Sequence, residues 1–180
     1  MSQESPLPRP HYTEYDSRLG AYAVIVRPRG GHDEPGGSGA GAGRDQHAGD
    51  DAEILLAMWN DGRWTLPGGG VDLHESPEEG VVREVREETG YDVELVDLLG
   101  VETDVIPSSG RTTATRGRPL RAIRVYYRAR VVGGELTHEE AGSTNEARWL
   151  PVAEVAGLPR SSMVDTGRRL LGRRLPAPER

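Results

Sequence analysis

Residues 69–91 read GGVDLHESPEEGVVREVREETGY, and the fold is decided in this stretch. Its core, Arg83-Glu84-Val85-Arg86-Glu87-Glu88, places Glu84, Glu87 and Glu88 at i, i+3 and i+4. On an α-helix these positions share a face. Like charges so placed repel, so a helix gains nothing from carrying them for its own sake. A multivalent cation held between them gives the clustering a physical reason, and hard carboxylate oxygens suit Mg²⁺ or Mn²⁺. The flanks predict a helix over 77–89. Ser76 is a good N-cap, Pro77 falls at the first helical position, and Glu79 completes a Ser-x-x-Glu capping box. Val81, Val82 and Val85 form an apolar stripe, expected on a different side from the glutamates. Gly90 stands where a glycine stop is expected. Gly68-Gly69-Gly70 precedes the helix, lets backbone approach a ligand closely, and offers carbonyls as further metal ligands.

Gly69, Glu75, Arg83, Glu84, Val85, Glu87, Glu88 and Gly90 together meet the pattern G-x5-E-x7-R-E-U-x-E-E-x-G-U, where U is a bulky aliphatic residue. The stretch resembles the signature of the Nudix hydrolases, and so many fixed positions at fixed spacing make it far more specific than a lone glycine motif. Tyr91 departs from the aliphatic residue usual at the last position, and His74 stands where a small residue is common. Around the box, RWTLPGG at 63–69 resembles the strand and turn that feed it, and EARWLP at 146–151 resembles a strand that often closes the domain. The similarity covers about residues 21–171.

The resemblance implies an α/β fold: a single-domain Nudix-type α/β/α sandwich with a mixed sheet, the box forming loop–helix–loop. It also implies an enzyme, a pyrophosphohydrolase that cleaves the diphosphate linkage of a nucleoside diphosphate derivative. A nucleoside triphosphate, ADP-ribose or an NDP-sugar would each qualify. On this reading Glu84, Glu87 and Glu88 are catalytic and, with the Gly68 carbonyl, hold Mg²⁺ (or Mn²⁺). Glu75 and Arg83 pair to hold the loop against the helix. The chemistry is consistent, because the charges of a diphosphate repel a water nucleophile until a cation neutralises them and acidifies that water. One carboxylate, on the helix or in a downstream loop, acts as general base. Two alternatives stay open. One is a non-catalytic nucleotide-sensing module; such modules usually lose a box glutamate, and this chain has all of them. The other is an RNA 5′-end pyrophosphohydrolase, which calls for a broad basic surface.

Composition bounds these readings. The chain has 180 residues, enough for one domain with a core, although apolar content is low at 35% and Phe is absent. A formal net charge of −7 provides no global basic field and argues against a nucleic-acid partner. Every basic side chain apart from histidine is Arg, so any phosphate clamp is a guanidinium that can grip bidentately. Without cysteine there is no disulfide, thiolate metal site or thiol nucleophile. No run approaches the ~18 apolar residues of a membrane span, and the polar N-terminus has no signal core, so the expectation is a cytoplasmic protein. Oligomeric state is not legible.

Along the chain, residues 1–18 read as a flexible arm, 19–175 as the domain, and 176–180 as a tail. Residues 21–26 are a β-branched, buried-strand run. Residues 29–51, rich in Gly, Ala and Asp, read as a flexible insertion. Strands are expected over 53–59 and 63–66 around the hairpin turn Asn60-Asp61-Gly62, and over 93–106 with an interruption at Gly100. Residues 107–119 form a loop with Arg111, Arg116 and Arg118, read as solvated rather than as a phosphate lid. Pro107 lies near where a proline is associated with ADP-ribose hydrolases. Residues 120–132 alternate, with Ile123, Val125, Tyr127, Ala129 and Val131 on one face. Arg124, Arg128 and Arg130 then belong to an exposed face. Gly133-Gly134 turns the chain. A strand over 147–150, a helical turn over 152–156 and a helix over 161–174 follow. Glu139, Glu140 and Glu146 are candidates for an extra metal-binding or basic carboxylate. His32, His47 and His138 read as surface. Trp59, Trp64 and Trp149 read as core, with base stacking the alternative.

Overall fold

The computed structural model describes residues 11–30, 52–108, 118–137 and 144–172. The insertion beyond Gly30, Arg111, Arg116, Glu139, Glu140, His32, His47 and His138 lie outside the described residues, as do residues 1–10 and the tail.

The elements follow the sequence pattern closely. They are β1 (Asp16–Pro28), β2 (Ala52–Trp59), β3 (Trp64–Thr65), β4 (Gly68–Gly70), α1 (Pro77–Thr89), β5 (Tyr91–Ile106), β6 (Leu120–Gly134), β7 (Thr144–Pro151), a 3₁₀ turn (Val155–Gly157) and α2 (Ser162–Leu171). β1 runs parallel to β6, pairing Asp16 with Leu120 through to Ile25 with Ala129. Every other pairing is antiparallel, so the sheet is mixed, in the order β3-β2-β1-β6-β5, with β4 on β1 and β7 on β2. β1 starts at Asp16, earlier than its apolar run, because Asp16 to Leu19 find ladder partners on β6. Gly133 and Gly134 continue β6 opposite Asp92 and Tyr91 instead of turning the chain.

Alternation along the strands divides the apolar residues between two faces. Ala21, Ala23 and Ile25 of β1 join Val125, Tyr127 and Ala129 of β6 under Val81 and Val85 of α1. Val24 of β1 and Tyr126 of β6 join Ile54, Leu56 and Leu66 under Met163 and Val164 of α2. Each fully buried valine contributes roughly 1.5–3 kcal/mol of transfer free energy. One helix thus covers each face, the α/β/α sandwich that a period-2 strand between two amphipathic helices dictates. The β5–β6 ladder shifts register three times, the last between Leu98 and Gly100, and Leu170 of α2 packs over Gly100.

The aromatic at position 91 has a packing reason. Tyr91 is buried in the α1 core and its hydroxyl accepts a hydrogen bond from Trp149 Nε1 at 3.2 Å. An aliphatic residue would leave that indole without this partner. Arg27 stacks on Trp149 at 4.0 Å while pairing with Glu53, so Trp149 sits at the edge of the α1 core, whereas Trp64 is buried in the core under α2.

Candidate active site

Helix α1 forms as its sequence directs. The Ser76 hydroxyl accepts from Glu79 N–H at 3.2 Å and the Glu79 carboxylate accepts from Ser76 N–H at 2.8 Å. Gly90 ends the helix in the left-handed conformation, φ 75°, and donates to the Arg86 carbonyl. A box of this kind is worth about 1 kcal/mol. It fixes which turn of α1 faces the strand of three glycines.

The three glutamates come to that strand in different environments. Glu87 is about half exposed, Glu84 is largely covered, and Glu88 is buried at 3% exposure. Glu88 therefore lies beside the apolar stripe of Val81 and Val85 rather than apart from it. A carboxylate this deep is costly unless hydrogen-bonded, and Glu88 Oε2 accepts from Gly68 N–H at 2.9 Å. Gly68 thus meets Glu88 through its N–H, a different atom from the carbonyl expected to serve as a metal ligand. Glu84 lies directly against Gly69. A Cβ at Gly69 would stand 2.6 Å from Glu84 Cδ and from both of its oxygens, so only glycine leaves room for this carboxylate.

Arg83 ties the cluster together. It donates to Glu75 Oε1 (2.6 Å) and Oε2 (3.1 Å), to Glu84 Oε1 and Glu87 Oε2 (3.1 Å each), and to the Gly70 carbonyl (3.1 Å). Its hydrogen bonds to Glu75, then those to Glu84, push the guanidinium pKa up against desolvation. In return Arg83, followed by the Asp72 N–H, holds the Glu75 carboxyl below the ordinary carboxylate range. The loop–helix pairing expected of Glu75 and Arg83 is present. Among the described residues no three Asp, Glu, His or Cys side chains close on one point as a cation cage. Glu84 and Glu87 close on the Arg83 guanidinium, and Glu88 closes on the glycine strand. The donor set nevertheless fits a hard divalent cation. Three carboxylates stand on one stretch of helix against bare backbone, with the Arg83 guanidinium beside them.

Glu146 is not part of this cluster on the contacts seen: it pairs with Arg148, its neighbour two along β7. Arg118, at the start of β6, donates to the Thr13 and Tyr15 carbonyls and so fastens residues 13–15 to the sheet.

A cavity of about 560 Å³ opens beside the glycine strand. Gly68 and Gly69 line it, with Arg18, Tyr22, Trp59 and Arg124 among the other walls. Arg124 corrects the expectation of an exposed strand face. Its side chain is 15% exposed, set between the cavity and the carboxylates of Glu102 and Asp104 at 3.9 and 3.7 Å. Tyr126 on the same face is fully buried. Arg18 and Tyr22 were not singled out from sequence. Their signal was available: positions 18, 20 and 22 alternate onto one face of β1, leaving an arginine and a tyrosine around a glycine.

The whole chain points the same way as the site. A profile of the NUDIX domain matches residues 47–171, well over half of the chain. A MutT-like protein from Streptomyces ambofaciens is 38% identical over 104 residues, covering 57% of this chain and 57% of that protein, so the chain spans little more than half of this relative. The MutT NUDIX hydrolase from Burkholderia pseudomallei has a TM-score of 0.53 at 26% identity, over 87% of this chain and 96% of that one. The NUDIX domain of Shewanella oneidensis NrtR, solved with ADP ribose, gives 0.56 at 21% identity over 88% and 91%, a likeness of fold alone. With an intact signature on a capped helix, the two-faced mixed sheet around it and a profile match across both, the chain belongs to the Nudix family.

Proposed function

We propose that the protein hydrolyses the diphosphate linkage of a nucleoside diphosphate derivative with the help of Mg²⁺ or Mn²⁺. The observation that carries this reading is the gathering of Glu84, Glu87 and Glu88 against the glycine strand, with Arg83 bracing them and a cavity alongside. Glu84, Glu87, Glu88 and the Gly68 carbonyl would hold the cation. When bound, it neutralises diphosphate oxygens and lowers the pKa of the attacking water. The chain's own residues do the rest. Arg83 and Glu75 fix the loop so that the carboxylates keep their places without a ligand. Glu87, the most open of the three to solvent, takes the proton from water as general base. The Gly68 N–H holds the Glu88 carboxylate in place through a hydrogen bond.

Hydrolysis is favoured over nucleotide sensing because the chain keeps all three box glutamates, Glu84, Glu87 and Glu88. The experiment is incubation with Mg²⁺ and a panel of nucleoside triphosphates, ADP-ribose, NDP-sugars, NADH and dinucleoside polyphosphates, identifying both products. In Glu87→Gln and Glu88→Gln we expect turnover to fall on the order of 10²-fold or more with the fold retained, since charge is removed but volume and an acceptor oxygen are kept. Near wild-type rates in both variants at saturating Mg²⁺ would sink the assignment.

A further inference from the structure

The cavity beside the glycine strand holds polar groups that the hydrolysis reading leaves without a task. In register, Gly20 of β1 lies between Gly70 of β4 and Arg124 of β6. Arg18, Gly20 and Tyr22 share that face by alternation. It is the face of Val24 and Tyr126, under α2, whereas the intervening Gly69 turns toward Glu84 and α1. The cavity and the carboxylates therefore lie on opposite sides of one strand made only of glycine.

Three donors point into this space with little to bind. Among the described residues Arg18 and the Tyr22 hydroxyl make no hydrogen bond, and Arg124 comes no nearer than 3.7 Å to a carboxylate. The glycines are what make room for them. A Cβ at Gly20 would stand 3.2 Å from the Tyr22 hydroxyl, and one at Gly70 would stand 3.0 Å from an Arg18 guanidinium nitrogen. Glu102, anchored by Tyr126 and Thr166 hydroxyls at 3.1 Å each, backs Arg124 from the far side. Tyr22 also lies within the fields of both guanidiniums and of Glu88 and Glu84; burial raises its hydroxyl pKa, so it remains a donor at neutral pH. Two permanent cations and a phenol, all donors, form a cradle for an oxyanion.

We propose that Arg18, Tyr22 and Arg124 form an oxyanion subsite that holds one phosphate group of a diphosphate ligand on the sheet face opposite α1. This deepens the hydrolysis reading and rests on it only for the identity of the ligand. The subsite positions the diphosphate across the edge of the glycine strand, one phosphate with the arginines and the next within reach of the helix carboxylates. It acts in binding and needs no cation to do so.

The test is calorimetric titration of the full chain with ADP and with inorganic pyrophosphate in EDTA, alongside steady-state kinetics on whichever panel substrate is cleaved. Saturable binding without metal is expected. Arg18→Gln and Arg124→Gln should each weaken it about tenfold to a hundredfold, the worth of a hydrogen bond to a charged group. Tyr22→Phe should weaken it by about threefold to tenfold. Arg130→Gln, on the same strand but paired with Glu94 at the surface, should leave it unchanged. Unaltered binding in Arg18→Gln overturns the subsite even if Arg124→Gln fails to fold, because Arg18 is exposed and its replacement disturbs no described hydrogen bond. Cleavage with KM unmoved in both arginine variants also overturns it while the hydrolase reading stands. Arginine-dependent ADP binding in a protein that cleaves nothing on the panel supports the subsite and removes the hydrolase reading.

Discussion

Replacing Gly69 by alanine separates catalysis from stability at a single atom. The added Cβ would meet the Glu84 carboxyl carbon and both oxygens at 2.6 Å. Ordinary contact lies near ~3.5 Å, so the carboxylate must retreat by roughly 1 Å. It can do so cheaply. Gly69 is not in the left-handed region, what must move is a side-chain tip rather than backbone, and the 3.1 Å pair of Glu84 with Arg83 is worth on the order of 0.2–1 kcal/mol when partly exposed. About 1 kcal/mol corresponds to a Tm loss of about 2–4 °C in a chain of this size. A displacement of ~1 Å in a group that must meet the reacting atoms costs about 10²-fold in rate. We therefore expect Gly69→Ala to melt within a few degrees of wild type and to lose about two orders of magnitude in kcat. The assays are thermal melting and initial rates at saturating Mg²⁺ on the substrate found in the panel. Gly68→Ala is the contrast. There φ is 133° and the Cβ would lie 2.3 Å from the Ala21 carbonyl, so backbone rather than a side-chain tip must move. Strain of about 1–3 kcal/mol plus that clash should destabilise the domain outright. Full activity in Gly69→Ala would show that the position of Glu84 does not matter to the reaction. Loss of folding in Gly69→Ala would show that the Glu84 side chain cannot yield as argued.

Chelation with EDTA should abolish activity, and Mg²⁺ or Mn²⁺ should restore it; Tm in EDTA should remain within several degrees of the metal-loaded value, because Arg83 already braces Glu75, Glu84 and Glu87. Gly167→Ala, whose Cβ would meet Leu66 at 2.7 Å and Val24 at 2.9 Å, should cost about 1–3 kcal/mol by overpacking, read as a lowered urea midpoint. The Tyr127 hydroxyl, donating to Glu78 at 2.7 Å, holds the Glu78 carboxyl below its ordinary value of 4.5. A depressed carboxylate stabilises above that ordinary value and loses its contribution as pH falls through the lower folded one. The fall in Tm from about pH 5 to about pH 3 should accordingly be shallower in Tyr127→Phe; an identical acid slope would count against the linkage.

Local rules made most of the fold legible. α1 has the bounds its caps and glycine stop require, 77–89, because Ser76, Pro77, Glu79 and Gly90 act within a few residues of one another. The strand at 52–59 and its turn follow from an apolar run and an Asn-Asp-Gly signal. What sequence could not supply was the third dimension of each strand. Arg124 alternates with apolar residues and so reads as solvent-facing, yet at this end of β6 the second face is covered, with Tyr126 in the α2 core and Glu102 and Asp104 beside the guanidinium. Helical spacing put Glu88 with Glu84 and Glu87, but not its burial, which comes from the strand docking over it. Arg18 and Tyr22 carry no motif at all. Their meeting with Arg124 depends on the parallel β1–β6 register, a pairing between segments some hundred residues apart.

That register explains why the site has two electrostatic halves. On the α1 side Glu75, Glu84 and Glu87 gather on the Arg83 guanidinium and Glu88 on the Gly68 N–H, an arrangement of carboxylates whose charge a divalent cation would offset on the proposed reading. On the other side Arg124 faces Glu102 and Asp104, Glu102 is also paired with Arg169 at 3.6 Å, and Arg18 has no carboxylate partner among the described residues, so the guanidiniums there outnumber the carboxylates by one. Side chains at 68–70 would thicken the partition and push the halves apart; glycine keeps them one backbone apart. A metal bound by the carboxylates alone would attract any anion, and arginines alone would bind phosphate without activating water. The proposed diphosphate would match that division, with one charged group toward the carboxylate side and one toward the guanidiniums.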